Sequence, residues 1–389
     1  MFSISRIQQL LKPLPRGRFD RLVAQHRRDR HAKGFKSWDQ FLVMACAQLN
    51  DVKGLRQATT NFNEQRDHHF HLGTRNVSRS TLAEANAKRS PELFSDVARS
   101  LMAQVHGSER RACTSLLYLL DSTSITLKGR EFDSWTLSNR TQHTQGVKLH
   151  LMYESGTQAP VWHSITAPNV NDRDEGVRVP IEAQATYVFD KGYCDYNWWQ
   201  TIDARGARFV TRFKKNAAVR VEQEREITPA DAATILRDEI VRFTNRRPGG
   251  GRRNTYEQPL RRIEVAREGA LPLVLATNDV KTPAAEIAQL YKDRWEIELF
   301  FKWIKQHLNI KRFMGRTENA VRTQILIALI TYLLLVLHKQ ATAAVGSLWE
   351  VLMQVRSALF SRPSVQNELY RRRREKQEAL ERNQTRFAW

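Results

Sequence analysis

The sequence predicts a mixed α/β protein: a basic helical part first, then a core of buried strands and helices interrupted by a strand-rich insertion. Three observations lead there. The first hundred residues carry helix-start signals in front of apolar runs, at Ser37 with Gln40, at Ser80, and at Ser90 followed by Pro91. From about Cys113, short continuous apolar runs appear instead, the pattern of strands buried on both faces. The third is the stretch 282–308, "TPAAEIAQLYKDRWEIELFFKWIKQHL", which reads as one long helix capped by Thr282, with Pro283 at its first position.

Taken in order, residues 1–110 form the helical part and 111–213 the first part of the core. "SLLYLLDST" is a strand ending at Asp121; 146–154 and 159–169 are two more. A helical stretch around 176–184 leads to "ATYVFDKGY", a strand ending at Asp190, then to helix 196–206 and strand 207–213. Three strands, helix, strand, helix, strand is a mixed α/β order. Residues 214–271 differ: they are charged, broken by "RRPGGGRRN" and flanked by β-like segments such as 260–266, so they read as an insertion. Core character returns in 272–340, with the long helix and the apolar run 325–337. Residues 341–389 form a basic helical tail, which the sequence leaves open between a DNA-contacting helix and a solvated segment.

Charge narrows the partners. Against 41 Asp and Glu stand 62 Lys and Arg, a net +21. Such an excess points to a polyanion, nucleic acid before an anionic membrane surface. Basic patches at 16–30, 205–215, 246–253 and 371–374 spread that charge along the chain. A set of short basic helices suits a helix-turn-helix DNA-binding module. The longest apolar run, 13 residues from Ile325 to Leu337, falls short of the ~20 that span a bilayer, so it reads as a buried core helix and no membrane is expected. The N-terminus shows no signal-peptide pattern, and Cys46, Cys113 and Cys194 form neither a disulfide framework nor a zinc pattern, which together place the protein in the cytoplasm. His68, His69 and His71 read as a polar loop, since no second ligand cluster accompanies them.

The long helix poses a chemical question. At about 100° per residue, Tyr291, Arg294, Glu298, Lys302 and Lys305 share a stripe ~80° wide, with Trp295, Ile297, Leu299, Phe300, Phe301, Trp303 and Ile304 around the rest. A helix apolar nearly all round is buried, and a buried carboxylate needs a cationic partner or a metal. The stripe faces either a cleft or, on a partly exposed helix, solvent with i,i+4 pairs such as Glu298 and Lys302; the rest of the chain decides. Glu296 projects about 160° away from Glu298 and reads as a rim charge. Asp121 and Asp190, each ending a buried strand, stand where sites form in open α/β sheets. With Glu298 they make three carboxylates able to share two divalent metals for phosphodiester chemistry. Magnesium takes such carboxylates, waters and substrate phosphates together. Tyr291, Arg294 and Lys305 would hold DNA phosphates from the same face. Lys148 and His150, on the strand "VKLHL", are equally compatible with facing the site and with being ordinary strand residues.

Tyr291, Arg294, Glu298 and Lys305 match Y-x2-R-x3-E-x6-K, and with "LLDSTSI" around Asp121 and "FDKGY" around Asp190 the chain resembles the IS4-family DDE transposases of bacterial insertion sequences. The resemblance runs from the early helices to about Leu337. It implies a ribonuclease H-like catalytic core with a mainly β insertion between the second Asp and the Glu. It also implies two Mg2+ ions, with Mn2+ able to substitute, and catalytic, metal-holding Asp121, Asp190 and Glu298. Partners would be the double-stranded terminal inverted repeats and target DNA, engaged by a synaptic homodimer at the bacterial nucleoid. The expected reaction is cut-and-paste transposition by strand cleavage and transfer. A catalytically inactive DNA-binding derivative and a nuclease on the same core are the alternatives. Relatives can supply an aromatic from the insertion to stack on a flipped base; no Trp lies between Trp199 and Trp295, and Tyr256 is the one tyrosine of the insertion.

Overall fold

The structure, a computed structural model, describes residues 4–32, 34–109, 116–214, 217–244, 247, 253–361 and 377. Cys113, the glycine run at 249–251 and the arginine run at 371–374 lie outside the described residues.

Among the described residues, seven helices precede the first strand: α1 (Arg6–Leu10), α2 (Arg16–Gln25), α3 (Ser37–Leu49), α4 (Leu55–Asn63), α5 (Arg66–Leu72), α6 (Arg79–Lys88) and α7 (Glu92–Glu109). Their starts differ in detail from the sequence expectation. The cap of α3 comes from Asp39, whose carboxylate accepts the Lys36 N–H at 2.7 Å. Ser37 instead binds Asp29, and Gln40 is buried against Asn86. At α6 the cap is Ser78, not Ser80: its Oγ accepts the Thr81 N–H. The histidines lie on α5 rather than in a loop, and His69 is buried with its Nε2 on the Phe62 carbonyl.

One sheet of nine strands follows: β1 (Leu117–Thr126), β2 (Gly146–Glu154), β3 (Ala159–Thr166), β4 (Thr186–Phe189), β5 (Arg208–Arg212), β6 (Val219–Glu224), β7 (Ile235–Phe243), β8 (Leu260–Val265) and β9 (Leu273–Thr277). Their spatial order is β3-β2-β1-β4-β5-β9-β8-β7-β6. The three central strands β1, β4 and β5 are parallel, and all other neighbours are antiparallel. The strands of the 214–271 segment thus extend the same sheet by backbone pairing instead of forming a separate layer. Short helices α8 (Asp133–Thr136), α9 (Asp172–Gly176) and α10 (Tyr196–Ala204) connect the strands. The helix expected over 176–184 is limited to α9, and the chain from 177 to 184 runs as turns.

The expected long helix is two: α11 (Ala284–Asp293) and α12 (Trp295–His307). At the junction, Arg294 N–H reaches Tyr291 O and Ile297 N–H reaches Arg294 O, three-residue bonds that tighten one turn. Trp295 is 58% and Leu299 48% exposed, so this segment is not apolar-buried all round. Last come α13 (Glu318–Thr342) and α14 (Leu348–Ser357). α13 is long and apolar enough to cross a membrane, but it is buried inside the fold. It packs against α3, α6 and α7, so the early helices share its apolar cluster. A buried polar clasp joins them: Gln48 Oε1 accepts the Asn309 N–H, and Gln324 Nε2 donates to Asn309 O.

Candidate active site

Strand alternation aims β1 in two directions. Leu119 and Ile125 belong to the cluster beneath α12, and Asp121 and Thr123 lie on that same face. Tyr118 and Leu120 join the opposite cluster, and Ser122 turns that way towards α9. Asp121 does not end β1, which continues to Thr126 by pairing with β2. The parallel ladder with β4, however, stops at Leu120–Phe189. Asp121 and Asp190 are therefore the next residues along two adjacent parallel strands, at the carboxyl edge of the ladder.

From the other side α12 delivers the rest. Arg294 donates to Asp121 Oδ2 at 3.2 Å and to Glu298 Oε1 at 2.6 Å, so one guanidinium sits between two carboxylates. Tyr291 places its ring 5.8 Å from the Arg294 guanidinium carbon. Lys305 donates to Thr123 Oγ1 and, at 3.4 Å, to Ser124 O. All six residues singled out by spacing are thus brought together, although α11 and α12 are separate helices. Lys302 is exposed, and Glu296 points away, accepting from Ser155 Oγ at 2.8 Å. Tyr256 is 2% exposed, with its ring near Phe209 and Phe243, so it offers no face for stacking a base.

The electrostatics are unbalanced. Burial pushes the Asp121 carboxyl up to about 6; the Ser122 N–H and Arg294 oppose that, while Glu298 and Asp190 add to it. Burial also raises the Tyr291 hydroxyl, with Arg212, at the end of β5, acting against it. Of the three carboxylates, Arg294 bonds two, Asp121 and Glu298. Among the described residues, no three acidic, His or Cys side chains already stand close enough to hold a metal ion. Arg294 stands between Asp121 and Glu298. The donors themselves are all carboxylate oxygens, the set that hard divalent cations take.

Sequence reasoning missed Asp172. Its Oδ1 accepts from Ser122 Oγ at 2.8 Å and from Lys148 Nζ at 3.2 Å, and lies 3.5 Å from His150 Nδ1. A Cβ on Gly192 would stand 2.9 Å from Asp190 Oδ1 and 3.3 Å from Asp172 Oδ2, so both carboxylates converge on that glycine. Lys148 therefore faces the site through Asp172. His150 is buried on Thr166 and Tyr193, and burial pulls its pKa down to about 4. Nothing in the periodicity of "NVNDRDEG" marks Asp172, because its neighbours come from β1, β2 and the turn after β4.

Carboxylates gathered at the edge of a parallel ladder beside Arg and Lys are what an enzyme acting on phosphodiesters needs. Comparison with known proteins agrees. The family described as Transposase DDE domain matches residues 113–334, more than half of the chain. A domain of unknown function (DUF4372) matches residues 3–75. A putative transposase of Sinorhizobium fredii, y4zB, is 42% identical over 256 residues, 65% of this chain and 69% of that protein. A probable transposase for insertion sequence element IS5377 of Geobacillus stearothermophilus is 26% identical over 256 residues, 64% and 65% of the two. A structure of the piggyBac transposase synaptic complex with hairpin DNA aligns with a TM-score of 0.45 at 11% identity, over 91% of this chain and 77% of that one. The chain belongs to the DDE-domain transposases of bacterial insertion sequences, enzymes that cleave DNA and transfer its strands. Enzymes of this family generally use divalent metal ions.

Proposed function

We propose that Asp121, Asp190 and Glu298 are the catalytic, metal-holding carboxylates of this transposase, and that Tyr291, Arg294 and Lys305 engage DNA beside them. The observation that carries this reading is Arg294 shared between Asp121 and Glu298, with Asp190 next to Asp121 across the parallel ladder. Two Mg2+ ions, or Mn2+ in their place, suit the oxygen-only donors and would supply an activated water or 3′-hydroxyl and charge for the leaving oxygen. The chain's own residues do the rest. Asp121 and Asp190, fixed on a rigid sheet edge, set the geometry, and Glu298 closes the site from α12. Arg294 neutralises two of the carboxylates and is placed to turn to a phosphate. Lys305, held by Thr123, presents a point charge along the same face.

On this reading the core is ribonuclease H-like, spanning 111–213 and 272–340, with 214–271 as its β-rich insertion. Residues 1–110 bind DNA and 341–389 add a basic tail. Two copies synapse terminal inverted repeats at the nucleoid in the bacterial cytoplasm, and excision is followed by joining to target DNA. The parallel order of β1, β4 and β5 supports that core.

The test uses purified protein, a duplex carrying the inverted repeats that bracket the reading frame, and Mg2+. Asp121→Asn, Asp190→Asn and Glu298→Gln should each lose more than about a thousandfold in cleavage, several kcal/mol of transition-state stabilisation, while end binding persists. Near-normal metal-dependent cleavage by any one of them would remove it from the triad. Cleavage without joined products in the parent protein would favour a nuclease, and binding alone a non-catalytic derivative.

A further inference from the structure

A groove of about 720 Å³ opens beside Lys305, between the end of β1 and the segment that follows α12. Its floor is apolar: Ile125, Leu127, Phe132 and Ile310 are all buried. Its rim carries three exposed cations, Lys128 on one side and Lys311 and Arg312 on the other, against one exposed carboxylate, Glu131. Among the described residues no carboxylate forms an ion pair with any of these three. Lys311 lies close enough to Lys305 that its charge, after burial, helps lower the Lys305 pKa. Counting Lys305, four cations against one carboxylate leave the groove a surplus of positive charge that a bound anion would offset.

The groove has a direction. Its inner end is Ser124 and Lys305, where Lys305 Nζ touches Thr123 and Ser124, two and three residues beyond Asp121 on the same strand. From there β1 carries the wall outward through Thr126 to Lys128. We propose that this groove carries the phosphodiester backbone of the DNA strand leading away from the scissile phosphate, with Lys128, Lys311 and Arg312 neutralising its phosphates. The apolar floor packs against sugar edges while the rim meets charge, and Arg312 adds a fork that matches a phosphate. Backbone contacts of this kind position DNA without reading its sequence. The inference rests on Asp121, Asp190 and Glu298 marking the point of cleavage.

For every phosphate that a side chain no longer neutralises, the slope of log binding constant against log salt falls by about 0.7–0.9. The variant Lys128→Gln/Lys311→Gln/Arg312→Gln should therefore bind the terminal-repeat duplex with a slope shallower by roughly 2–3. The charge-keeping variant Lys128→Arg/Lys311→Arg/Arg312→Lys should retain the parent slope, which separates a charge effect from a structural one. Phosphate-ethylation interference gives position: the signals that disappear in the Gln variant should fall within the first few nucleotides of the cut, on whichever side the strand runs. An unchanged slope would overturn the groove as a DNA site. A shallower slope whose missing signals lie far from the cut would overturn its place on the path from the cleavage point. Asp121→Asn protein, assayed in parallel, keeps the two claims apart: normal cleavage by that variant sinks the carboxylate assignment, whereas the slope measures the groove alone.

Discussion

Arg261 and Arg294 both lie against carboxylates, and the two surroundings are opposite in kind. Arg261, on β8, is 2% exposed; it makes a two-pronged pair with Asp238 at 2.8 and 2.7 Å, and its remaining nitrogen donates to the carbonyls of Asp279 and Thr282. Together these bonds tie β7 and β8 to the segment that leads into α11, and the fork is fully used. Arg294 is divided between Asp121 and Glu298, its Nε is buried without a hydrogen-bond partner, and a third carboxylate stands nearby. A balanced pair holds the fold together. One arginine divided between two carboxylates, with a third nearby, is the kind of arrangement that clusters at functional sites.

Breaking the balanced pair should have the largest effect on stability. Arg261→Met leaves Asp238 buried, with only Arg225 at 3.4 Å, and should cost about 3–5 kcal/mol in urea unfolding. A cost below about 1 kcal/mol would make Arg261 no more structural than a surface ion pair.

Removing charge from the divided site should do the reverse. The folded Asp121 carboxyl titrates near 6, above its ordinary 3.8. Its cost is thus absent below about pH 4 and complete above about pH 6. Two units correspond to at most about 3 kcal/mol, so metal-free Asp121→Asn should gain up to that at pH 7 and almost nothing at pH 4. If Asp121 is catalytic as proposed, the same variant should lose cleavage, so that stability and activity move in opposite directions. A destabilised Asp121→Asn at pH 7 would erase the contrast with Arg261.

A smaller effect sharpens the boundary of the site. Asp172→Asn keeps shape but weakens the hold on Ser122 and Lys148, and should lower cleavage about 10–100-fold with a weaker apparent Mg2+ affinity. Unchanged Mg2+ dependence would assign Asp172 to the fold alone.

The uneven legibility of this protein follows from which interactions are local. The strand 146–154 was readable to the residue because both its faces are buried and its apolar run is bounded by Gly146 and Glu154. Helix starts slipped by one or two residues, at Ser78 and Asp39, because several Ser and Asp residues compete for the same N–H groups. The break at Arg294 was invisible: no Gly or Pro lies around it, and the tightened turn accompanies ion pairs with Asp121 on β1 and Glu298 on α12. Asp172 was invisible for the same kind of reason, since all its partners are distant in sequence.

By itself the sequence determined what lies within single elements: the shared face of Tyr291, Arg294, Glu298 and Lys305, the buried strands, and the order of the acids. Periodicity encodes facing, because side-chain direction repeats with the backbone. Only the tertiary structure decided that β1 continues past Asp121 while its parallel partner stops, which sets Asp121 beside Asp190. It also decided that the 214–271 strands extend the same sheet, and that Arg294 fills the space between two carboxylates. Register and neighbour choice are settled by pairing between distant segments, and no local pattern carries that information.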